Sequence, residues 1–250
     1  MDLNTENKLK AVVLAAGKGT RMHTEGVDLP KVMRQALGRP LLHYVLDALD
    51  FISPADCILV VGYKREYVEE AFPDHPFALQ SEQLGTGHAV ACAYEALGDY
   101  QGSILVCCGD MPLIRRETYQ ELCRLHRQEG NACTILSGES DVYLPYGRIL
   151  RDHEGNFCGM VEEKDATEEQ KRITELNSGV YVFDAPALRS VLGSLSRANA
   201  QGEYYLTDAP TLMQQQGMKV GVCRRDLGME IIGVNTPEQL REVERILNSR

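Results

Sequence analysis

The stretch Leu14-Ala15-Ala16-Gly17-Lys18-Gly19-Thr20-Arg21-Met22, followed by Leu29-Pro30-Lys31, sets three cations around two glycines at the end of an apolar run. Glycines in such a place let successive backbone N–H groups turn inward as an anion nest, and Lys18, Arg21 and Lys31 add positive charge beside it. That combination suits a phosphate. Two common phosphate loops do not fit: Met22 stands where the G-x-G-x-x-G pattern needs its third glycine, and no G-x-x-x-x-G-K-[ST] spacing occurs. A lone Gly-x-Gly reads equally well as a solvated turn. The strand-end position together with Arg21 and Lys31 favours a ligand.

The rest of the chain makes this island conspicuous. Its 250 residues carry 26 Lys and Arg against 36 Asp and Glu, a net charge of −10. So acidic a chain argues against nucleic-acid binding, which needs a basic surface, but it tolerates a small phosphorylated ligand. A hydrophobic content of 44% with 25% charged residues excludes a disordered chain. Residues 1–7 are polar, and the run 11–16 falls well short of the roughly 20 apolar residues that span a bilayer, so neither a leader nor a membrane segment is expected. Eight cysteines without a C-x-x-C pair, four of them (Cys57, Cys107, Cys108 and Cys223) within apparent strands, read as reduced structural thiols of a cytoplasmic protein.

Something rigid must hold the island. Apolar runs at 11–15, 57–61, 103–108, 133–136 and 180–183 read as buried strands. Helical periods lie between them: a stripe of Leu41, Leu42, Val45, Leu46 and Leu49, then segments near 67–72, 87–97 and 117–129. The alternation predicts an α/β fold with a doubly wound, mostly parallel, Rossmann-like sheet. Beyond Glu139, the Tyr-Gly-Arg-Ile and Asp-His-Glu-Gly-Asn turns predict antiparallel hairpins over one sheet edge. Thr236-Pro237-Glu238 opens a capped amphipathic C-terminal helix. No repeat or linker breaks the chain, which reads as one domain over 1–250.

Leu14-Ala15-Ala16-Gly17-x-Gly19-Thr20-x-Met22 with Leu29-Pro30-Lys31 resembles the signature of sugar-1-phosphate nucleotidyltransferases. The likeness continues through Gln80-x-Glu82-Gln83-Leu84-Gly85-Thr86-Gly87-His88-Ala89, Gly109-Asp110-x-Pro112-Leu113 and Tyr146-Gly147-Arg148-Ile149. It extends through Val161-Glu162-x-Lys164-Asp165-Ala166, Leu176-Asn177-x-Gly179, the stretch from Asn199 to Asp208, and Gly233-Val234-Asn235. It covers nearly the whole chain in order. Within the family it bears a close likeness to the uridylyltransferase domain of the bacterial bifunctional N-acetylglucosamine-1-phosphate uridyltransferases. The resemblance implies attack of a sugar-1-phosphate on the α-phosphorus of UTP, with Mg²⁺ as cofactor and pyrophosphate as leaving group, in the synthesis of a cell-envelope precursor. It divides the domain into a nucleotide-binding half at about 9–138, a sugar-binding half at about 139–235 and the helix 236–248.

The resemblance also implies roles. Arg21, Lys31 and Lys18 are the catalytic candidates, stabilising triphosphate and nucleotide-sugar charge. Leu14, Ala15, Ala16, Gly17, Gly19, Gln80, Gly85, Thr86, Cys108, Gly109 and Asp110 are the nucleotide candidates. A side-chain amide and backbone groups at a Gly turn match the uracil edge, while Thr86 also reads as a helix N-cap. His88 reads as a packed helix residue. Asp110 ends a buried strand and suits Mg²⁺, though a turn-initiating Asp before Met111-Pro112 reads nearly as well. The resemblance pairs Asp110 with Asn235 as metal ligands. Gly147, Glu162, Asn177 and, more weakly, Thr207 are the sugar candidates; taken alone, Glu162 beside Glu163 reads as a solvated charge pair.

Some features depart from the family pattern. The loop 23–29 is about three residues longer than the pattern, and Cys108 stands where an aromatic residue is usual. No hexapeptide-repeat β-helix lies within the 250 residues, so neither acetyl transfer nor the trimer it imposes is expected of them; a monomer or small homo-oligomer is. The alternatives are the same chemistry with another base or sugar (a UDP-glucose, dTDP-glucose or CMP-type transferase) and a non-catalytic nucleotide-sugar sensor.

Overall fold

The computed structural model describes residues 9–22, 28–139 and 143–249. The chain lays down β1 (Leu9–Leu14), a short ribbon of β2 (Gln35–Ala36) and β3 (Arg39–Pro40), α1 (Leu41–Ala48) and β4 (Cys57–Val61). It continues with α2 (Glu66–Ala71), β5 (Phe77–Leu79), α3 (Thr86–Leu97), β6 (Ser103–Cys108), α4 (Arg116–Glu129) and β7 (Cys133–Glu139). The last part holds β8 (Arg148–Arg151), β9 (Phe157–Val161), β10 (Glu175–Asp184), α5 (Ala185–Leu192), α6 (Asp208–Gln215), β11 (Val220–Arg225) and α7 (Pro237–Leu247).

The strands line up as β11-β7-β10-β6-β1-β4-β5. β1 runs parallel to β4 and β6, β4 to β5, and β7 to β11. This is the α/β sheet that the alternating pattern predicts. Its side chains obey the two-residue period of a strand: Ala11 and Val13 enter the core on the face of α1 and α4, while Val12 enters the core beneath α3, α5 and α6. A third, smaller core lets Val243 and Ile246 of α7 pack with Met22, Leu41, Leu113 and Val234. The C-terminal helix thus braces the loop that follows β1. Its start is the expected cap: the Thr236 hydroxyl accepts from Gln239 N, and the Gln239 side chain returns to the Thr236 backbone.

The segment 180–183 turns out to be the tail of the ten-residue β10, which lies antiparallel between β6 and β7 in the middle of the sheet. A run buried on both faces looks the same in sequence whichever way it points. The expected hairpin is β8 paired with β9, and it joins the sheet only where Arg148 meets Leu176. A β-bulge breaks the β10–β7 register between Asn177 and Val180, with Gly179 at φ +74°. The extra residues of the loop 23–29 fall mostly outside the described residues.

One core group makes stability depend on pH. His126 of α4 is buried, with Nδ1 3.0 Å from Thr134 Oγ1, and burial pushes its pKa down from 6.5 to about 4. The folded protein therefore favours neutral imidazole. The associated stability is complete above pH 6.5 and is lost as pH falls towards 4, by on the order of 3 kcal/mol from this group. Urea unfolding between pH 7 and pH 4 is expected to show that decline, and His126→Gln to flatten it. An unchanged slope in the variant would assign the decline to other groups.

Candidate functional site

The site gathers at the carboxyl ends of β1 and β6. Beyond β1, Ala15 N–H still donates to Val60 O at 2.8 Å, and Gly109 N–H donates to Leu14 O at 3.0 Å, so the two strand ends leave the sheet side by side. Gly19 at φ +67° is needed by its neighbour, since a Cβ there would stand 2.7 Å from Lys31 Cβ. The Lys31 stem therefore lies across the glycine loop. Gly17 faces open space, as an anion nest requires.

Four of the predicted polar residues converge. Lys31 Nζ forms an ion pair with the Asp110 carboxylate and donates to Asn235 Oδ1 at 2.9 Å; Arg21 NH2 donates to the same oxygen at 3.3 Å. Asp110 and Asn235, distant in sequence, thus aim two hard oxygen donors at one cation. Asn235 is held by Val234 N–H donating to Asp110 O at 2.9 Å and by its own N–H donating to Gln239 Oε1 at 2.7 Å. Among the described residues no group of three His, Cys, Asp or Glu side chains stands ready for a metal. Two protein oxygens suit Mg²⁺ whose remaining ligands are phosphate and water, so the donor set fits that ion and not a structural zinc. Lys18 stands apart. It is exposed at the rim, with its ammonium 5.1 Å from the centre of the Tyr63 ring.

Beside this centre lies a cleft of about 230 Å³. Of the nucleotide candidates, Leu14, Ala16, Gly17, Gln80, Gly85, Thr86, Cys108 and Asp110 line it, with Lys31; Ala15, Gly19 and Gly109 are not among its lining residues. Gln80 Nε2 donates to Gly85 O at 3.0 Å and lies 3.2 Å from His88 Nδ1. A carbonyl can only accept, so this contact fixes the amide and leaves Oε1 as an acceptor. His88, a residue of α3, sets its Nδ1 against the same amide. Gly85 has φ +109°, and a Cβ there would meet Tyr204 O at 2.6 Å. The N-cap of α3 is Gly85, not Thr86, whose hydroxyl accepts from Leu206 N at 3.0 Å. Because the chain returns from Tyr204 to Leu206 against this turn, the nearer backbone partner takes the hydroxyl.

Four lining residues escape the sequence reading, the apolar Val32 and Ala89 and the polar Gln83 and Glu203. Gln83 and Glu203 both face the cleft. Each lies inside a matched motif, but only the pairing of Tyr204 N–H with Leu84 O at 2.7 Å shows that Glu203 returns to the loop ahead of α3.

The sugar candidates form a separate cluster. Asn177 N–H donates to Gly147 O at 2.8 Å, and the Asn177 side chain spans the bulge, with Nδ2 donating to Tyr181 Oη and Oδ1 accepting from Gly179 N. Thr207 Oγ1 donates to Glu162 Oε1 at 2.9 Å, and burial raises the Glu162 carboxyl above the ordinary range. The solvated reading of Glu162-Glu163 is corrected, because Glu163 instead pairs with the buried Arg148 guanidinium at 2.8 Å. Cys108 lies between the cleft and this cluster. Its Sγ is 3.5 Å from where a Gly179 Cβ would sit, and burial pushes its thiol up to about 12.

Residues 11–203 match the family described as the MobA-like NTP transferase domain. The Bifunctional protein GlmU of Caldanaerobacter subterraneus subsp. tengcongensis is 45% identical over 97% of this chain and 52% of its own length. The protein of that name from Streptococcus mutans is 42% identical over 96% of this chain and 52% of its own length, and that from Thermobifida fusca 45% over 96% and 50%. The chain spans about half the length of the curated relatives it matches. Among the described residues no helix is long and apolar enough to cross a membrane.

Proposed function

From the premise that this chain belongs to the MobA-like NTP transferase family, and to its sugar-1-phosphate nucleotidyltransferases, we propose that it transfers UMP from UTP to N-acetylglucosamine-1-phosphate and releases pyrophosphate. The convergence of Arg21, Lys31, Asp110 and Asn235 on one point carries the reading. A binding module has no need to pair two cations with two metal-type oxygens at the mouth of a nucleotide cleft.

The chemistry opposes itself electrostatically. The sugar phosphate is an anionic nucleophile near pH 7, its second pKa being roughly 6, and it must approach a polyanion while charge grows on the leaving group. Lys31 and Arg21 offset that repulsion, and the backbone amides of the glycine loop hold the triphosphate. Asp110 and Asn235 would hold Mg²⁺, which when bound would supply a further charge counterweight to the phosphates. Gln80 Oε1 accepts the N3–H of uracil; cytosine presents an acceptor there and meets it with a lone pair. Gly147, Asn177, Glu162 and Thr207 read the hydroxyls and the N-acetyl group of the sugar.

Pyrophosphate release from a panel of UTP, dTTP and CTP with N-acetylglucosamine-1-phosphate and glucose-1-phosphate, with and without Mg²⁺, tests this. UTP with the N-acetylated sugar is expected to be fastest, Mg²⁺ essential and CTP poorest. Fastest turnover with glucose-1-phosphate would replace the sugar assignment. A preference for CTP would overturn the role of Gln80. No turnover on any pair, with tight UDP-sugar binding, would leave a sensor.

A further inference from the structure

Asn235 reaches the cationic centre from the short connection Gly233-Val234-Asn235, which leads into α7. Three hydrogen bonds hold it: Val234 N–H donates to Asp110 O at 2.9 Å, Gly233 N–H donates to Tyr146 Oη at 2.9 Å, and Asn235 N–H donates to Gln239 Oε1 at 2.7 Å. Gly233 is buried, and a Cβ there would stand 2.5 Å from Met111 Sδ and 3.2 Å from Tyr146 Oη. The connection is pressed against that phenol.

Tyr146 belongs to the other half of the site. It directly precedes Gly147 and β8, and Gly147 O accepts from Asn177 N. The Tyr146 carbonyl accepts from Arg148, a guanidinium almost wholly buried and ion-paired with Glu163. One end of Tyr146 is therefore locked to the hairpin and the other to the connection that carries Asn235. Burial pushes the phenol up to about 12, so it stays neutral near pH 7.

We propose that Tyr146 is a positioning residue, whose hydroxyl sets the Asn235 oxygen in register with Asp110 and ties that register to the sugar-side hairpin. The proposal rests on Asp110 and Asn235 being the metal ligands. Tyr146→Phe keeps the ring and its packing but leaves the buried Gly233 N–H unpaired, so the connection relaxes and the Asn235 oxygen moves off register.

The test uses the full chain. Mn²⁺ affinity is read by electron paramagnetic resonance in the presence of UTP, UTP affinity without metal by calorimetry, and exchange of the 233–235 amides by metal-free hydrogen-exchange mass spectrometry. Tyr146→Phe is expected to weaken Mn²⁺ binding by about tenfold, in the range of outer-sphere partner losses, and to speed exchange of the 233–235 amides. Metal-free UTP affinity and the circular dichroism spectrum are expected to stay at parental values, which a general loosening of the fold would not allow. Asn235→Ala is the companion. If it weakens Mn²⁺ binding while Tyr146→Phe does not, the positioning role falls and the ligand assignment stands. If Asn235→Ala leaves Mn²⁺ binding unchanged, the ligand assignment falls and takes the positioning role with it.

Discussion

Lys31→Ala is expected to lower turnover by two orders of magnitude or more while the protein stays folded. The ammonium is the point on which Asp110 and Asn235 both converge, and its stem lies against Gly19, where a Cβ would clash with it. Losing one preorganised charge contact of this kind costs on the order of 2.7–4 kcal/mol in the transition state. The side chain lies at the site and not in a core cluster, so removing it leaves the sheet packing untouched. The loss is expected in kcat, because in the proposed reaction the charge that Lys31 would offset grows as pyrophosphate departs. Pyrophosphate release at saturating substrates, beside circular dichroism of the same sample, checks both halves. Near-normal turnover in a folded variant would remove Lys31 from the chemistry.

Gly85→Ala is the second large effect, and its cause is backbone, not charge. At φ +109° an alanine is strained, and its Cβ would meet Tyr204 O at 2.6 Å and Tyr204 N at 2.9 Å. Both atoms belong to a backbone crossing fixed by Gly87 N–H to Tyr204 O and Tyr204 N–H to Leu84 O, so nothing flexible can give way. The turn must move, and the Gly85 carbonyl that holds the Gln80 amide moves with it. A displacement of about 1 Å in a positioned group costs about a hundredfold. Here it should appear as a fall of that size in kcat/KM for UTP, with the KM of the sugar phosphate little changed. Steady-state kinetics varying each substrate separate the two; equal damage to both would mean that the change spreads well beyond the base-side turn.

The parts of the molecule legible in sequence are those set by local pattern. The strands at 57–61 and 103–108 form at those residues, the glycine loop follows β1, and Thr236 caps α7. These features need only a period, a turn residue or a capping side chain. What escaped was non-local. The direction of β10 depends on which neighbours accept its edges, and an apolar run buried on both faces records no direction. Thr86 has the type and place of an N-cap, yet its hydroxyl answers Leu206, a partner far along the chain. The Gln80 amide is fixed by Gly85 and His88, and no residue type announces which of its two ends is spent. The pairing of Asp110 with Asn235 was open to family likeness, but not to spacing.

The antiparallel placement of β10 has a temporal side. β6 and β7 are made before β10, and each needs it as a neighbour. As the chain leaves the ribosome at roughly 5–20 residues per second, the open edge of β6 waits until Asp184 has emerged, and β7 keeps its other edge open until β11 follows. Open edges of apolar strands recruit other chains. The sheet is thus closed by latecomers, and a fragment ended after β7 would carry the whole glycine loop on a scaffold inclined to aggregate.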